Sequence, residues 1–238
     1  MDTEQTCLVA FPGVVALDVD GVFNHIKGFL DVNFLEAGRE AGLSTGPIET
    51  YIRDIEAGVV RFIGGVRDIA RAMWPGALEL QIELFVQCFR EQEELNPYPP
   101  RREALEALDI LCLCGVRVFL VSSNETFFLL RRIQLIGINP RSITGFSTRE
   151  CGYAKPHPGV LNSIYEHLKV RPGGVKICYA GDWHDDHQLA RNANALYGAS
   201  AVEFFAVNNG FIPPEAFVRE GLPRDRIFQD LLAVVKSW

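Results

Sequence analysis

The stretch LDVDGVF, residues 17–23, closes a short apolar run with two acids one position apart and follows them with glycine. The run that leads into it, VVAL at residues 14–17, is β-branched and flanked by turn residues, and reads as a central strand buried on both faces. In an extended chain, residues two apart point the same way, so Asp18 and the groups near it face one point above a sheet. Gly21 then lets the chain turn sharply and bring backbone amides towards a negative ligand.

Apolar residues recur at helical spacing from about Asp31 to Leu95, in VNFLEAGREAGL and again in ALELQIELFVQCF. Breaks at Gly42 to Pro47, Gly64-Gly65 and Pro75-Gly76 divide this stretch into three or four helices. After NPYPP, residues 96–100, helix and strand alternate: helix 101–113, strand 116–121, helix 125–136, a short segment SITGF, helix 158–169, strand 175–180, helix 187–197 and strand 201–207. The expectation is an α/β fold, a Rossmann-like parallel sheet with helices on both faces, joined by right-handed crossovers. The helices between the first strand and the rest form a small α-helical insert, with hinges near Gly28 and at NPYPP. The expected partition is a core of residues 1–27 and 97–238 and a cap of residues 28–96.

The chain has 238 residues, 48% hydrophobic and 22% charged, enough to bury a sizeable core. Its formal charge of −7 leaves no excess of cations for a phosphate backbone, so nucleic acid is not an expected partner. Basic pairs such as Arg101-Arg102 and Arg131-Arg132 read as solvated helix faces. No apolar run approaches the ~18 residues of a membrane span, and the acidic start MDTEQTCLVAFPG is unlike a secretory signal, so a cytoplasmic protein is expected. The six cysteines (Cys7, Cys88, Cys112, Cys114, Cys151, Cys178) are scattered, most of them in contexts typical of reduced, buried thiols.

Ligands of an open parallel sheet bind at the carboxyl ends of its strands. Asp18 and Asp20, Ser122, Lys155, and Asp182 with Asp186 all fall at such ends or in the loops between them. Three acids can hold a divalent cation while Ser122 and Lys155 hold an anion beside it, and oxygen-only ligands suit Mg²⁺.

The set LDVDGVF, FLVSSN, AKPHPG and AGDWHDD, in this order, resembles the four motifs of the haloacid dehalogenase superfamily. The resemblance is to its aspartate-dependent phosphatases with a helical cap after the first motif, of the phosphoglycolate phosphatase-like kind, and runs from about Val14 to Asn194. It implies that Asp18 is a nucleophile that becomes an aspartyl-phosphate and that Asp20 is the general acid, then the base. It further implies Mg²⁺ on the carboxylates of Asp18 and Asp182 and the backbone carbonyl of Asp20. Ser122, Ser123, Asn124 and Lys155 would hold the phosphoryl group, and Asp186 would orient the metal's ligands or Lys155, with Asp185 as the alternative to Asp186. The implied substrate is a small phosphorylated metabolite.

Asp20 favours phosphate ester chemistry over carbon–halogen cleavage, because a halide leaves without a proton. Where such phosphatases commonly continue the first motif with an acid and a serine or threonine, this chain has His25 and Ile26. His25 is a candidate substrate contact or a hinge hydrogen bond. Ile26 and Leu30, in place of the Thr and His usual in the related sugar-phosphate mutases, disfavour a mutase. His184 and His187 with no matched third ligand are a weak zinc signal. Arg53, Arg61, Arg67 and Arg71 are candidate cap cations for a second anionic group. A phosphotransferase or mutase, and a catalytically silent binding protein on the same fold, are the rival readings.

Overall fold

The computed structural model describes residues 11–57, 59, 65–208 and 210–238. Cys7, Arg61 and Gly64 lie outside the described residues. The first half of the chain runs β1 (Val14–Leu17), α1 (Leu30–Glu40), α2 (Gly46–Glu56), α3 (Val66–Met73), α4 (Glu79–Leu95), α5 (Arg102–Leu113) and β2 (Arg117–Val121). The second runs α6 (Thr126–Ile136), β3 (Gly145–Ser147), α7 (Asn162–His167), β4 (Ile177–Gly181), α8 (His184–Tyr197), β5 (Val202–Val207), α9 (Pro214–Arg219), β6 (Ile227–Phe228) and α10 (Leu231–Lys236).

Six strands, all parallel, lie in the order β3-β2-β1-β4-β5-β6. This is the doubly wound order, whose connections diverge on either side of β1 and open a crevice at the carboxyl ends there. Alternation along the strands sends Val14, Ala16, Phe119, Val121 and Tyr179 to one face, where Tyr165, Leu189 and Ala193 of α7 and α8 cover them. Val15, Leu17, Val118, Leu120 and Ala180 go to the other face, under Leu108, Leu129, Ile133 and Val234 of α5, α6 and α10. Both faces are covered, which is why the strands read as continuous apolar runs.

Helices α1 to α4 fill the expected insert. They bury an aromatic cluster of their own, with Phe34 edge-on to Phe89 at a centroid distance of 4.7 Å and Trp74 against Phe85 at 5.0 Å. This cluster is continuous with the α7–α8 side of the sheet core. Among the described residues no helix is long and apolar enough to cross a membrane.

Several expectations need correction. The helix expected over 158–169 is a 3₁₀ turn, Pro158–Leu161, followed by the short α7, because His157 caps the turn, its Nδ1 accepting from the Gly159 amide at 3.0 Å. Helix α8 begins three residues before the expected start, inside the AGDWHDD stretch, since Asp186 caps it. The structure adds α9, β6 and α10 after Val207. Arg101 and Arg132 are not solvated: Arg101 is buried and donates to Asn208 O at 2.8 Å, and the Arg132 side chain is only 11% exposed. Cys112 and Cys114, at the end of α5, are exposed, whereas Cys88 and Cys178 are buried.

The start of β5 is pinned by one side chain. Asn194 Nδ2 donates to Val202 O and Asn194 Oδ1 accepts from the Val202 amide, both at 2.8 Å. Asn194→Ala leaves both main-chain groups without that partner, and the expected cost is about 1–3 kcal/mol. Urea unfolding monitored by circular dichroism should show a lower midpoint with an unchanged slope.

Candidate active site

Asp18 is the first residue after β1. Its amide donates to Ala180 O at 2.9 Å, which extends the β1–β4 ladder by one bond and sets Asp18 beside Asp182, the first residue after β4. Lys155 Nζ lies 2.9 Å from Asp18 Oδ1 and 2.7 Å from Asp186 Oδ1. The Tyr179 hydroxyl also donates to Asp186 Oδ1, and the amides of Asp182 and Trp183 donate to Asp186 Oδ2 at 3.2 and 3.0 Å. Asp186 therefore does two things at once: it caps α8, and it anchors Lys155 against the end of the sheet.

All of these groups are buried. Burial works against the Lys155 ammonium, yet Asp18 and Asp186 outweigh it and hold the lysine well above its ordinary pKa. Burial, then Asp186, pushes Asp18 well above the usual carboxylate range, with Lys155 pulling the other way. The two directions have one origin. Asp18 and Asp186 both lie against Lys155, and burial with the repulsion of Asp186 and Asp182 is what raises Asp18.

The carboxylates of Asp18, Asp182 and Asp186 offer oxygens that all lie within 4.8 Å of one another. A divalent cation would relieve their mutual repulsion, and an all-oxygen set fits Mg²⁺. Two glycines make the approach possible. A Cβ on Gly21, whose φ is +79°, would stand 1.7 Å from Asp182 Oδ2, and one on Gly181 would stand 2.5 Å from Asp186 Cγ. Asp186 already accepts from four donors, about as many as a carboxylate can take, so Asp18 and Asp182 are the better placed of the three to ligate.

Asp20 is held apart from this cluster. Arg132 Nη1 and Asn24 Nδ2 donate to its Oδ1, the asparagine at 3.1 Å, and Asn124 Nδ2 donates to its Oδ2 at 3.3 Å. Arg132 also pairs with Glu93 of α4 and lies 4.5 Å over the Tyr98 ring. Ser122 follows β2, and its Oγ accepts from the Asn124 amide at 3.1 Å. Ser123 Oγ is buried with no hydrogen-bond partner among the described residues. Asp185 is buried beside the cluster, and burial pushes its carboxyl up to about 6 against the pull of Lys155.

A cavity of about 170 Å³ joins these groups: Asp18, Asp20, Ser122, Ser123, Asn124, Lys155, Asp182 and Asp185 all line it. Asp186 lies behind its wall, bonded to Lys155. His25 is not brought in; its side chain is exposed, and its amide donates to Pro99 O at 2.8 Å where the insert leaves and rejoins the core. Of the insert's candidate cations, Arg67 lines the cavity, while Arg53 and Arg71 are exposed on the helices. His184 and His187 both turn their Nδ1 atoms to Glu220, the second at 3.0 Å, and stack on Phe217 and Phe204. They belong to the packing of α8 against α9 and β5.

Sequence reasoning does not single out Arg132, Tyr179 or Asn24. A signal for the first exists: Leu129, Ile133 and Ile136 are the buried face of α6, and Arg132 lies three residues after the first of them. Tyr179 alternates with Cys178 and so faces α8, which places it under Asp186.

A family model described as haloacid dehalogenase-like hydrolase matches residues 12–194. No curated protein matches the chain. Among solved structures, a predicted phosphoglycolate phosphatase from Haemophilus somnus is 16% identical, covering 96% of this chain and 99% of its own, with a TM-score of 0.73. CbbY from Rhodobacter sphaeroides, in complex with phosphate, is 11% identical over 94% of this chain and 96% of its own, with a TM-score of 0.70. A candidate β-phosphoglucomutase from Thermotoga maritima is 16% identical over 94% and 98%, with a TM-score of 0.66. At such identities the likeness is one of fold.

Two outcomes follow from the ion pairs. Arg132→Ala strips Asp20 and the largely buried Glu93 of their common partner, and a loss of about 3–5 kcal/mol in denaturant unfolding is expected; a loss below about 1 kcal/mol would make the pair dispensable. Glu220 is opposed by its burial, but hydrogen bonds from His184 and His187 bring its carboxyl down to about 2 from 4.5. Its contribution is therefore present above about pH 4.5 and lost as pH falls towards about 2. Because that side chain is 35% exposed, the size is about 1 kcal/mol. Glu220→Gln should lower the melting temperature by about 2–4 °C at neutral pH, and by less in acid. A deficit that stays constant with pH would assign the effect to packing.

Proposed function

The chain belongs to the haloacid dehalogenase-like hydrolases, and from that premise we propose that it is a Mg²⁺-dependent phosphatase of a small phosphate monoester, acting in the cytoplasm through an aspartyl-phosphate. In this reading residues 1–27 and 97–238 are the catalytic core, and 28–96 are a cap that closes over the site. The observation that carries it is the Lys155 bridge between Asp18 and Asp186 beside Asp182, at the carboxyl ends of β1 and β4.

Asp18 is the nucleophile: its carboxylate oxygen forms a bond to phosphorus as the bond from phosphorus to the alcohol oxygen breaks. Asp20 gives its proton to that leaving oxygen. Water then attacks the same phosphorus, Asp20 takes the proton back, and the bond to Asp18 breaks to release phosphate. Arg132, Asn24 and Asn124 fix the Asp20 carboxyl for both steps. Lys155 offsets negative charge on Asp18 and on the equatorial phosphoryl oxygens, with Ser122, Ser123 and Asn124 supplying donors from the loop before α6. Asp18, Asp182 and the Asp20 carbonyl would hold Mg²⁺, which would supply further charge stabilisation at those oxygens. Asp186 positions Lys155 through their hydrogen bond. The apolar side chains of Ile26 and Leu30 on the cavity wall are poor partners for a sugar hydroxyl, so transfer to water is favoured over a mutase.

Phosphate release from a panel of phosphate esters, with and without Mg²⁺, tests this. Release should depend on the metal and fall by at least about 10³-fold in Asp18→Asn. Beryllofluoride with Mg²⁺ should raise the melting temperature of the wild type alone. A protein that releases nothing and is not stabilised would be a silent binding protein on this fold.

A further inference from the structure

The cavity that holds the reactive groups has a second half built on different principles. Away from Asp18 its walls are Leu30, Phe34, Tyr51, Ile69, Val86 and Phe89, supplied by all four helices of the insert. Phe128 and Trp183, half-buried side chains from the core, face them across the opening. The reactive groups and these walls share one cavity of about 170 Å³, so an apolar group beside a phosphate there must be small.

The charges along the wall point the same way. Every arginine that lines the cavity already has a carboxylate partner. Arg67 lies 2.7 Å from Glu83 and 3.7 Å from Glu125, and Arg90 lies 3.4 Å from Glu125. Arg132 is shared by Asp20 and Glu93, and Arg149 Nη2 donates to Asp68 Oδ1 at 3.0 Å. Lys155 is committed to Asp18 and Asp186 at the reactive end. A substrate with a second anionic group would have to displace one of these acids, and would meet Glu93 and Asp185 on the same wall. An apolar group can pack on Leu30, Phe34, Ile69, Val86 and Phe89, side chains that gain from excluding water.

Resting on the phosphatase reading above, we infer that the substrate is the phosphate monoester of an uncharged, apolar alcohol, one carrying an aromatic ring or a branched chain of that size. The phosphate sits among Asp18, Ser122 and Lys155, and the apolar group fills the chamber between α1, α2, α3 and α4. A substrate with a carboxylate beside its phosphate, such as phosphoglycolate, fits this cavity poorly.

The test compares 2-phenylethyl phosphate with phosphoglycolate and glucose 6-phosphate on the intact protein with Mg²⁺, and runs 4-nitrophenyl phosphate as a class control, because its activated leaving group depends least on the chamber. The expected kcat/KM for 2-phenylethyl phosphate exceeds both polar esters by roughly 10- to 100-fold, the value of burying a ring-sized apolar group. Leu30→Asn should reduce that ratio mainly through KM. Equal or better turnover of phosphoglycolate or glucose 6-phosphate, with 4-nitrophenyl phosphate also hydrolysed, would overturn the inference and leave the phosphatase reading standing. If none of the four is hydrolysed, the phosphatase reading falls. Calorimetry with 2-phenylethylphosphonate against phosphonoacetate then decides the chamber alone: tighter binding of the first supports it, and equal or weaker binding overturns it.

Discussion

Lys155 carries its ammonium into a place with almost no water and finds Asp18 on one side and Asp186 on the other. A charge buried in this way is tolerated only when it is paired and hydrogen-bonded, so each of its partners must be held to within a few tenths of an ångström. The rest of the structure supplies that constraint. Asp18 is fixed by the last bond of the β1–β4 ladder, and Asp186 by Tyr179 and by the amides of Asp182 and Trp183 just before α8. Gly21 and Gly181 leave the space that a side chain would occupy. Breaking a buried pair of this type costs far more than the pair adds over an apolar substitute, so its presence speaks for chemistry and positioning rather than for stability.

The insert is tied over this centre by pairs that are individually weaker. Glu93 reaches Arg132, Asp68 reaches Arg149, and Arg67 and Arg90 share Glu125, so α3 and α4 meet the core at three points around the cavity. The pairs of Arg149 and of Glu125, partly exposed, contribute little each and are screened by salt, whereas the Glu93–Arg132 pair is largely buried and costly to break. Arranged around the cavity, they join α3 and α4 to the core. Inside, the loss of water strengthens the electrostatic contacts that the buried acids and Lys155 make.

What was legible in the sequence divides along the same line. The strands and the acids at their ends could be read because backbone geometry alone fixes them: a buried parallel strand is an apolar run, and the residue after it faces the crevice. Asp18, Ser122 and Asp182 follow that logic, Lys155 is legible only as part of the loop AKPHPG, and the structure brings all four to one cavity. Arg132 was not read correctly, because a basic pair on a helix is usually solvated, and only the register of α6 shows that its second member turns inwards. The helix start at His184 was set too late because its cap comes from Asp186, within the stretch read as a loop. The walls of the cavity could not be read at all, since which face of each insert helix points inwards depends on how four helices pack on one another.

The pairing of the wall arginines has a consequence for how a phosphate ester orients. An unpaired guanidinium in the chamber would compete with Lys155 for the dianion, and would bind it several ångströms from Asp18 in an unproductive pose. With each arginine already neutralised by Glu83, Glu93, Glu125 or Asp68, the remaining attraction for a phosphate lies at the sheet end. Asp18, Asp182 and Asp186 crowd three carboxyl groups at that same end, and a divalent cation between them would relieve their mutual repulsion. In the proposed reading, the grouping of the acids around Lys155 and the pairing of the wall arginines thus serve one requirement, that the cavity present a single place where a dianion is stable.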